Sequence, residues 1–243
     1  MPAQLDRIAR VALKQVLFGV RYEPHYGVVD YLGTILDEVL RRKGTPFGPE
    51  TFPNTTAEAT EHILINPGTN DYLRINQQDT ILQMGVGDRS LSRISELADD
   101  FETYVLEAIG ETAGLSSIVR YGMVLQLEDV RTLFKTPPSV RYLGTDFPDA
   151  RSLFLRVSRR LPAEEALIKK RVEDYRNVIY MIHEAESGAI GIAVDYQHYF
   201  SPALDTSEWK ERPFHKFVEN GLAYFEGEFR RWLDQFFKAS EVA

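Results

Sequence analysis

Phe214, Phe217, Val218, Leu222, Phe225, Phe229, Trp232, Leu233 and Phe236 recur at three- and four-residue steps near the end of the chain. No other pattern in the sequence restricts the fold as much. The period is that of one helix face. Pro213 suits a first helical turn, where its missing N–H has no intrahelical partner anyway. A helix over 213–237, about 24 residues, is about 36 Å long. A stripe of phenylalanine and tryptophan of that length is too apolar to face water. It must pack, and the rest of the chain must supply a layer long enough to receive it. Tyr224 and Phe237 fall off the main stripe, where they are placed to meet a partner subunit.

The remaining periodicities supply that layer. Val16, Phe18, Val20 and Tyr22 alternate along a strand at 15–22. Val28, Leu32, Ile35, Leu36, Val39 and Leu40 keep helical spacing over 28–43, and Arg41, Arg42 and Lys43 suit the negative end of that helix's dipole. Short strands follow at about 61–66, 71–76 and 79–84. A second amphipathic helix spans 91–109 through Leu91, Ile94, Leu97, Phe101, Val105 and Ile109, with Asp88 or Ser90 as its cap. Strands return at 117–127, 152–160, 172–184 and 189–200, with a short helical turn near 129–134 and a turn at Ser187-Gly188.

This order predicts an α+β fold with an antiparallel sheet and the long helices on one face. It reads as β-α-β-β-β-α twice. The 243 residues therefore form a single domain over 1–243, divisible into two pseudo-symmetric halves, 15–109 and 117–237. The alternative is a helix-grip fold, in which a curved sheet wraps the final helix around a cavity.

Composition removes several functions. The chain carries 36 acidic against 28 basic residues, a formal charge of −8. Broad nucleic-acid binding needs clustered Lys and Arg instead. With no cysteine there is no disulfide, thiol nucleophile or cysteine-ligated zinc. No stretch approaches the roughly 20 apolar residues of a membrane span. Met1 to Val20 has no signal-like apolar run, so the expected location is cytoplasmic.

A search for chemistry finds no familiar constellation. The histidines, His25, His62, His183, His198 and His215, show no metal-ligand spacing, and no catalytic residue, cofactor or metal is predicted. His198 shares parity with Ile192, Val194, Tyr196 and Phe200, and His183 with Ile179 and Met181. Both read as hydrogen-bonded histidines at the edge of the core. Gly85-Val86-Gly87-Asp88 precedes a helix but lacks the rest of a phosphate loop, and reads as a turn with a cap. Glu164-Glu165, Asp99-Asp100 and Glu173-Asp174 read as solvated charges. No Gly-x-Ser-x-Gly elbow is present.

One pattern stands out on the strands of the second half. The positions opposite the apolar ones carry Arg120, Gln126, Arg156, Ser158, Arg160, Asp195, Gln197 and Tyr199. If the helices cover one sheet face, these residues line the other. They form either a wet face with cross-strand ion pairs or a contact surface for a partner. The candidate binding face is therefore Arg120, Arg156, Ser158, Arg160, Asp195 and Gln197.

Val20-Arg21-Tyr22 with Pro24, Val119-Arg120-Tyr121-Gly122, Val194-Asp195-Tyr196, and the last helix with His215, Phe225 and Trp232 are spread over nearly the whole chain. Through them the chain resembles a sporadically distributed family of uncharacterised prokaryotic proteins of similar length. Met123-Val124-Leu125 stands where that family has a more polar run. The family brings no activity, so no residue role comes with the resemblance.

The function expected first is a non-enzymatic binding or protein-interaction module, such as an accessory subunit of a larger bacterial system. Its partner would be another protein or a second copy of the chain. A helix-grip small-molecule binder is one alternative. An enzyme using His183, Glu184, Asp195 or His198 as an acid-base site is another.

Overall fold

Residues that alternate in polarity extend, and here they extend into one sheet. The computed structural model describes residues 11–42, 52–54, 61–69, 71–85, 92–115, 117–129, 153–163, 173–184, 190–209 and 213–241. The strands are β1 Val11–Tyr22, β2 Phe52–Asn54, β3 Glu61–Asn66, β4 Asp71–Asn76, β5 Asp79–Gly85, β6 Ser117–Asp129, β7 Leu153–Pro162, β8 Tyr175–Glu184 and β9 Ile190–Asp205. Among the described residues they form a nine-stranded sheet in the order β2-β3-β4-β5-β1-β6-β9-β8-β7. Every neighbouring pair is antiparallel. The fold is thus α+β with an antiparallel sheet, as the element order predicts.

Helices α1 (Tyr26–Asp30) and α2 (Leu32–Arg41) follow β1. The middle helix runs unbroken through Ser92–Phe101, a π-helical stretch Glu102–Leu106, and Glu107–Ala113. Gly114 ends it at φ +67°, a left-handed conformation that glycine adopts without a Cβ clash. The C-terminal helix is built the same way: Phe214–Tyr224, a π-helical stretch Phe225–Phe229, then Arg230–Glu241. A single turn, Thr206–Trp209, closes β9. Among the described residues no helix is long and apolar enough to cross a membrane.

Strand alternation decides which sheet face the helices cover. Val16, Phe18 and Val20 of β1, Tyr121, Met123 and Leu125 of β6, and Val194 and Tyr196 of β9 are all buried. Aromatic rings join this face to the helices. Phe214 meets Phe18 at 5.6 Å, Phe101 at 5.2 Å and Tyr121 at 5.2 Å between centroids, each edge-on. Such tilted contacts set the positive ring edge against a neighbour's negative face. Further along, Tyr196 meets Phe217 at 5.4 Å, and Tyr180 meets Phe229 at 5.1 Å and Trp232 at 4.7 Å.

Polar ties fix the same contacts. Glu102 accepts hydrogen bonds from the backbone N–H of His215 at 3.2 Å and from its ring Nδ1 at 3.0 Å. The first turn of the C-terminal helix is thereby anchored to the middle helix. At the far end Arg159 donates to the hydroxyls of Tyr180 and Tyr224 and to Glu228. Arg42, expected only to complement its own helix, reaches Glu107 at 3.3 Å and Glu111 at 2.8 Å on the middle helix.

Two expectations need correction here, and three fall outside the described residues. The helix-grip arrangement does not form, because the two long helices pack on one sheet face and aromatic rings fill the layer between. Tyr224 does not face outward; it is buried, with its hydroxyl 2.5 Å from that of Tyr180. The side chain of Phe237, the helical turn near 129–134 and the turn at Ser187-Gly188 lie outside the described residues.

The two glycines of the C-terminal helix test the packing in opposite directions. A Cβ at Gly221 would stand 2.6 Å from Met123 Cε and 2.9 Å from Tyr196 Cδ1, whereas one at Gly227 would meet nothing within 4 Å. Gly227→Ala is expected to raise stability by about 0.5–1 kcal/mol through helix propensity. Gly221→Val is expected to lower it by about 1–3 kcal/mol through overpacking. Urea unfolding of both variants, with equal signs as the contrary result, checks the assignment of this helix face.

Candidate binding face

The other sheet face carries the alternate residues, and no described helix packs on it. Register places them in rows across the strands. One row holds Arg160 on β7, Asn177 on β8, Gln197 on β9, Gly122 on β6 and Gly19 on β1. The next holds Ser158, Ile179, Asp195, Val124 and Leu17. Arg156, Met181, Ala193, Gln126 and Gln15 make the third. Arg120, two residues before Gly122 on β6, pairs with Tyr199, so all six candidate residues from the sequence, Arg120, Arg156, Ser158, Arg160, Asp195 and Gln197, share this face.

The side chains on it are organised rather than merely wet. Tyr175 and Tyr199 stack with centroids 4.8 Å apart and planes 6° from parallel. The Arg160 guanidinium lies 3.8 Å from the centre of the Tyr175 ring, and that of Arg120 lies 5.6 Å from the centre of Tyr199. The result is a ladder Arg160–Tyr175–Tyr199–Arg120 crossing four strands. Arg120 also donates to the Tyr199 hydroxyl at 3.2 Å, and that hydroxyl donates to Gln197 Oε1 at 3.0 Å. Gln197 in turn accepts from Asn177 at 3.2 Å and donates to Asp195 at 2.6 Å. Ser158 extends the network by donating to Asn177 at 2.9 Å.

Charge on this face is unbalanced. Arg74 is paired with Asp79 at 3.0 Å, and Lys14 with Glu128 at 2.7 Å. Among the described residues Arg21, Arg120, Arg156 and Arg160 form no ion pair. Asp79 stands opposite Arg21 in register, and Asp195 is the carboxylate that feels Arg120 and Arg156. Burial pushes the Asp195 carboxyl above its ordinary range, against the opposing pull of Arg120, the Gln197 hydrogen bond and Arg156. Opposite Gly19 stands Gly122, both on the open side of the two central strands, so the face has no side chain at that point.

Tyr175 and Asn177 are members that sequence reasoning missed. They lie on β8, whose open-face residues Ile179 and Met181 are apolar and disguise the strand's polarity. The same disguise misplaced His183. It is exposed on the open face beside Phe154, not at the edge of the core. His198 does lie on the core side, fully buried, but its ring makes no hydrogen bond; Nε2 stands 3.5 Å from Asp174 Oδ2. Asp174 is accordingly no solvated charge. It is buried and accepts the Ser201 N–H at 2.7 Å. His198 lies on the helix-covered side while Asp195 and His183 lie on the other, so His198 does not converge with those two; the side chain of Glu184 lies outside the described residues. The loop Val86–Gly87–Asp88, the capping position Ser90 and the pair Glu164-Glu165 fall outside the described residues.

Away from this face, Asp99, Glu102 and His215 bring three potential metal-ligand atoms within 4.8 Å of one another. His215 Nδ1 is already bonded to Glu102 and stands 3.2 Å from Asp99. The trio ties the two long helices together.

No protein-family model matches the chain, and no curated protein matches it. Among solved structures the chain is similar to one described as Methanococcus jannaschii TBP, at 9% identity and a TM-score of 0.31, covering 86% of this chain and 97% of that one. A likeness at that level carries no information about function.

The raised Asp195 pKa sets a sign. Above the native pKa the carboxylate is charged in both states, and the native state bears the cost of burying it. Below the ordinary carboxylate range both states are protonated and the cost vanishes. Asp195→Asn is therefore expected to raise the melting temperature at pH 7, with the gain shrinking as pH falls through the carboxylate range. Calorimetric melting of both proteins across that range checks it, and a loss of stability at pH 7 would contradict it.

Proposed function

We propose that this chain is a non-enzymatic binding module that holds a protein partner against the open face of its sheet. The observation that carries this reading is the Arg160–Tyr175–Tyr199–Arg120 ladder. A stability role alone accounts poorly for it. Stacking holds each guanidinium in place without neutralising it, so the ladder presents fixed positive charge to the outside. Ordered side chains lose little entropy when a partner docks, which favours binding. A subunit of a larger assembly is the form such a module would take.

Part of the same reading is that 15–109 and 117–237 are related halves. Support lies in the strand order, where β5-β1 and β6-β9 stand back to back at the centre. The π-helical stretch inside each long helix supports it too.

The test is charge reversal on the face. Arg120→Glu combined with Arg156→Glu is expected to abolish partner capture from extracts of the native host. Arg231→Glu, on an exposed position of the C-terminal helix, is expected to leave capture intact. Both variants should keep the native circular dichroism and melting temperature. If the partner is a second copy, sedimentation velocity would show a dimer that only the face variant dissociates. Equal capture by the face variant and the wild type would refute the proposal.

A further inference from the structure

The partner's chemistry can be read from the same face, an inference that rests on the binding role just proposed. We infer that the face receives an acidic, extended protein segment, its carboxylates seated on Arg120 and Arg160 and its apolar side chains on the apolar positions further along the same face.

Four observations converge on that occupant. First, the chain as a whole carries a charge of −8, yet Arg21, Arg120, Arg156 and Arg160 stand on one face without ion pairs among the described residues. The complement of such a surface is negative, and the acidic remainder repels acidic molecules that approach elsewhere. Second, the ladder leaves most guanidinium N–H donors available, Arg120 spending one on the Tyr199 hydroxyl. A stacked arginine uses its π face on the ring and keeps in-plane N–H donors for a bidentate carboxylate.

Third, the ladder discriminates against nucleic acid. Single-stranded nucleic acid binds sheets by stacking bases on exposed aromatic faces. Here the inner faces of Tyr175 and Tyr199 cover each other at 4.8 Å, and their outer faces are covered by Arg160 and Arg120. No face of this pair remains for a base. Fourth, Val124 and Leu17 pair side by side on the open side two register rows from the ladder, and Met181 lies one row further on, all partly exposed. They offer an apolar strip that phosphate groups cannot use and leucine-like side chains can.

Scale agrees. Arg160 and Arg120 sit on β7 and β6, three strand spacings apart, roughly 14 Å at about 4.8 Å per spacing. An extended peptide spans that distance in about four residues. The bare backbone at Gly19 and Gly122 gives such a chain room to cross the central strands.

Fluorescence anisotropy with the whole protein tests this. The probes are a labelled peptide of alternating glutamate and leucine, its glutamine-for-glutamate counterpart, and a labelled oligothymidylate. The glutamate peptide is expected to bind, more weakly as salt rises. The counterpart should bind at least about tenfold more weakly, in line with the loss of a charge-assisted contact. Arg160→Ala, at an exposed position that leaves the core untouched, should weaken the glutamate peptide by a similar factor, and Asp195→Asn should tighten it.

Equal binding of the two peptides, or an Arg160→Ala variant that binds as well as wild type, would overturn the inference. Tighter, Arg160-dependent binding of oligothymidylate would overturn it in favour of nucleic acid. If the glutamate peptide fails while Arg120→Glu with Arg156→Glu still abolishes capture, the docking role stands and only the acidic chemistry is wrong. If both fail, the face is not a docking site.

Discussion

A wide antiparallel sheet with aromatic and branched residues on one side cannot leave that side in water, and the molecule's organisation follows from how it is covered. Phe214 is the centre of the solution. It touches Phe18 on the first strand, Phe101 on the middle helix and Tyr121 on the sixth strand. A single ring thus joins both long helices to both central strands. Each contact is worth only about 0.5–1.5 kcal/mol beyond the area it buries, but the geometry is mutually dependent. Once the C-terminal helix is seated, Gly221 lies directly against Tyr196 and Met123, and the helix cannot slide without collision. Everything displayed on the opposite side inherits that rigidity.

Rigidity matters because the opposite side holds charges without neutralising them. In water, isolated surface ion pairs contribute little, and mobile arginines would find passing carboxylates or none. Stacking on tyrosine is a different arrangement. It confines the guanidinium by ring contact, costs no neutralising partner, and needs neighbouring strands in register. Tyr175 faces Tyr199 across β8 and β9 only because the hydrogen-bonded ladder pairs those two residues. The backbone pairing beneath is therefore what arrays the cations.

Much of this was legible in the amino-acid order. The C-terminal rod announces itself through Phe and Trp at helical spacing, and the strands through alternation that any sheet with one dry side must show. Arg120, Arg156, Ser158, Arg160, Asp195 and Gln197 could be placed on one face because parity within a strand is strict. What parity could not supply was the pairing between strands. Tyr175 and Tyr199 are 24 positions apart in the sequence, and nothing local says that they stack. Strand β8 was hardest, since Ile179, Tyr180, Met181 and Ile182 are apolar on both sides and alternation vanishes. That ambiguity put His183 near the core. Asp174 misled for another reason: a carboxylate next to a glutamate looks solvated until the fold brings the Ser201 amide and His198 to it.

Interleaving of the two faces has an evolutionary side. Along β9, Val194 and Tyr196 hold the molecule together while Asp195 and Gln197 look outward, so neighbouring codons answer to different selective pressures. A lineage could rewrite its outward positions to suit a new binding partner while every inward position stayed fixed. Sequence divergence among relatives would then run in steps of two, and a search that scores whole segments would register little kinship between chains built on one scaffold.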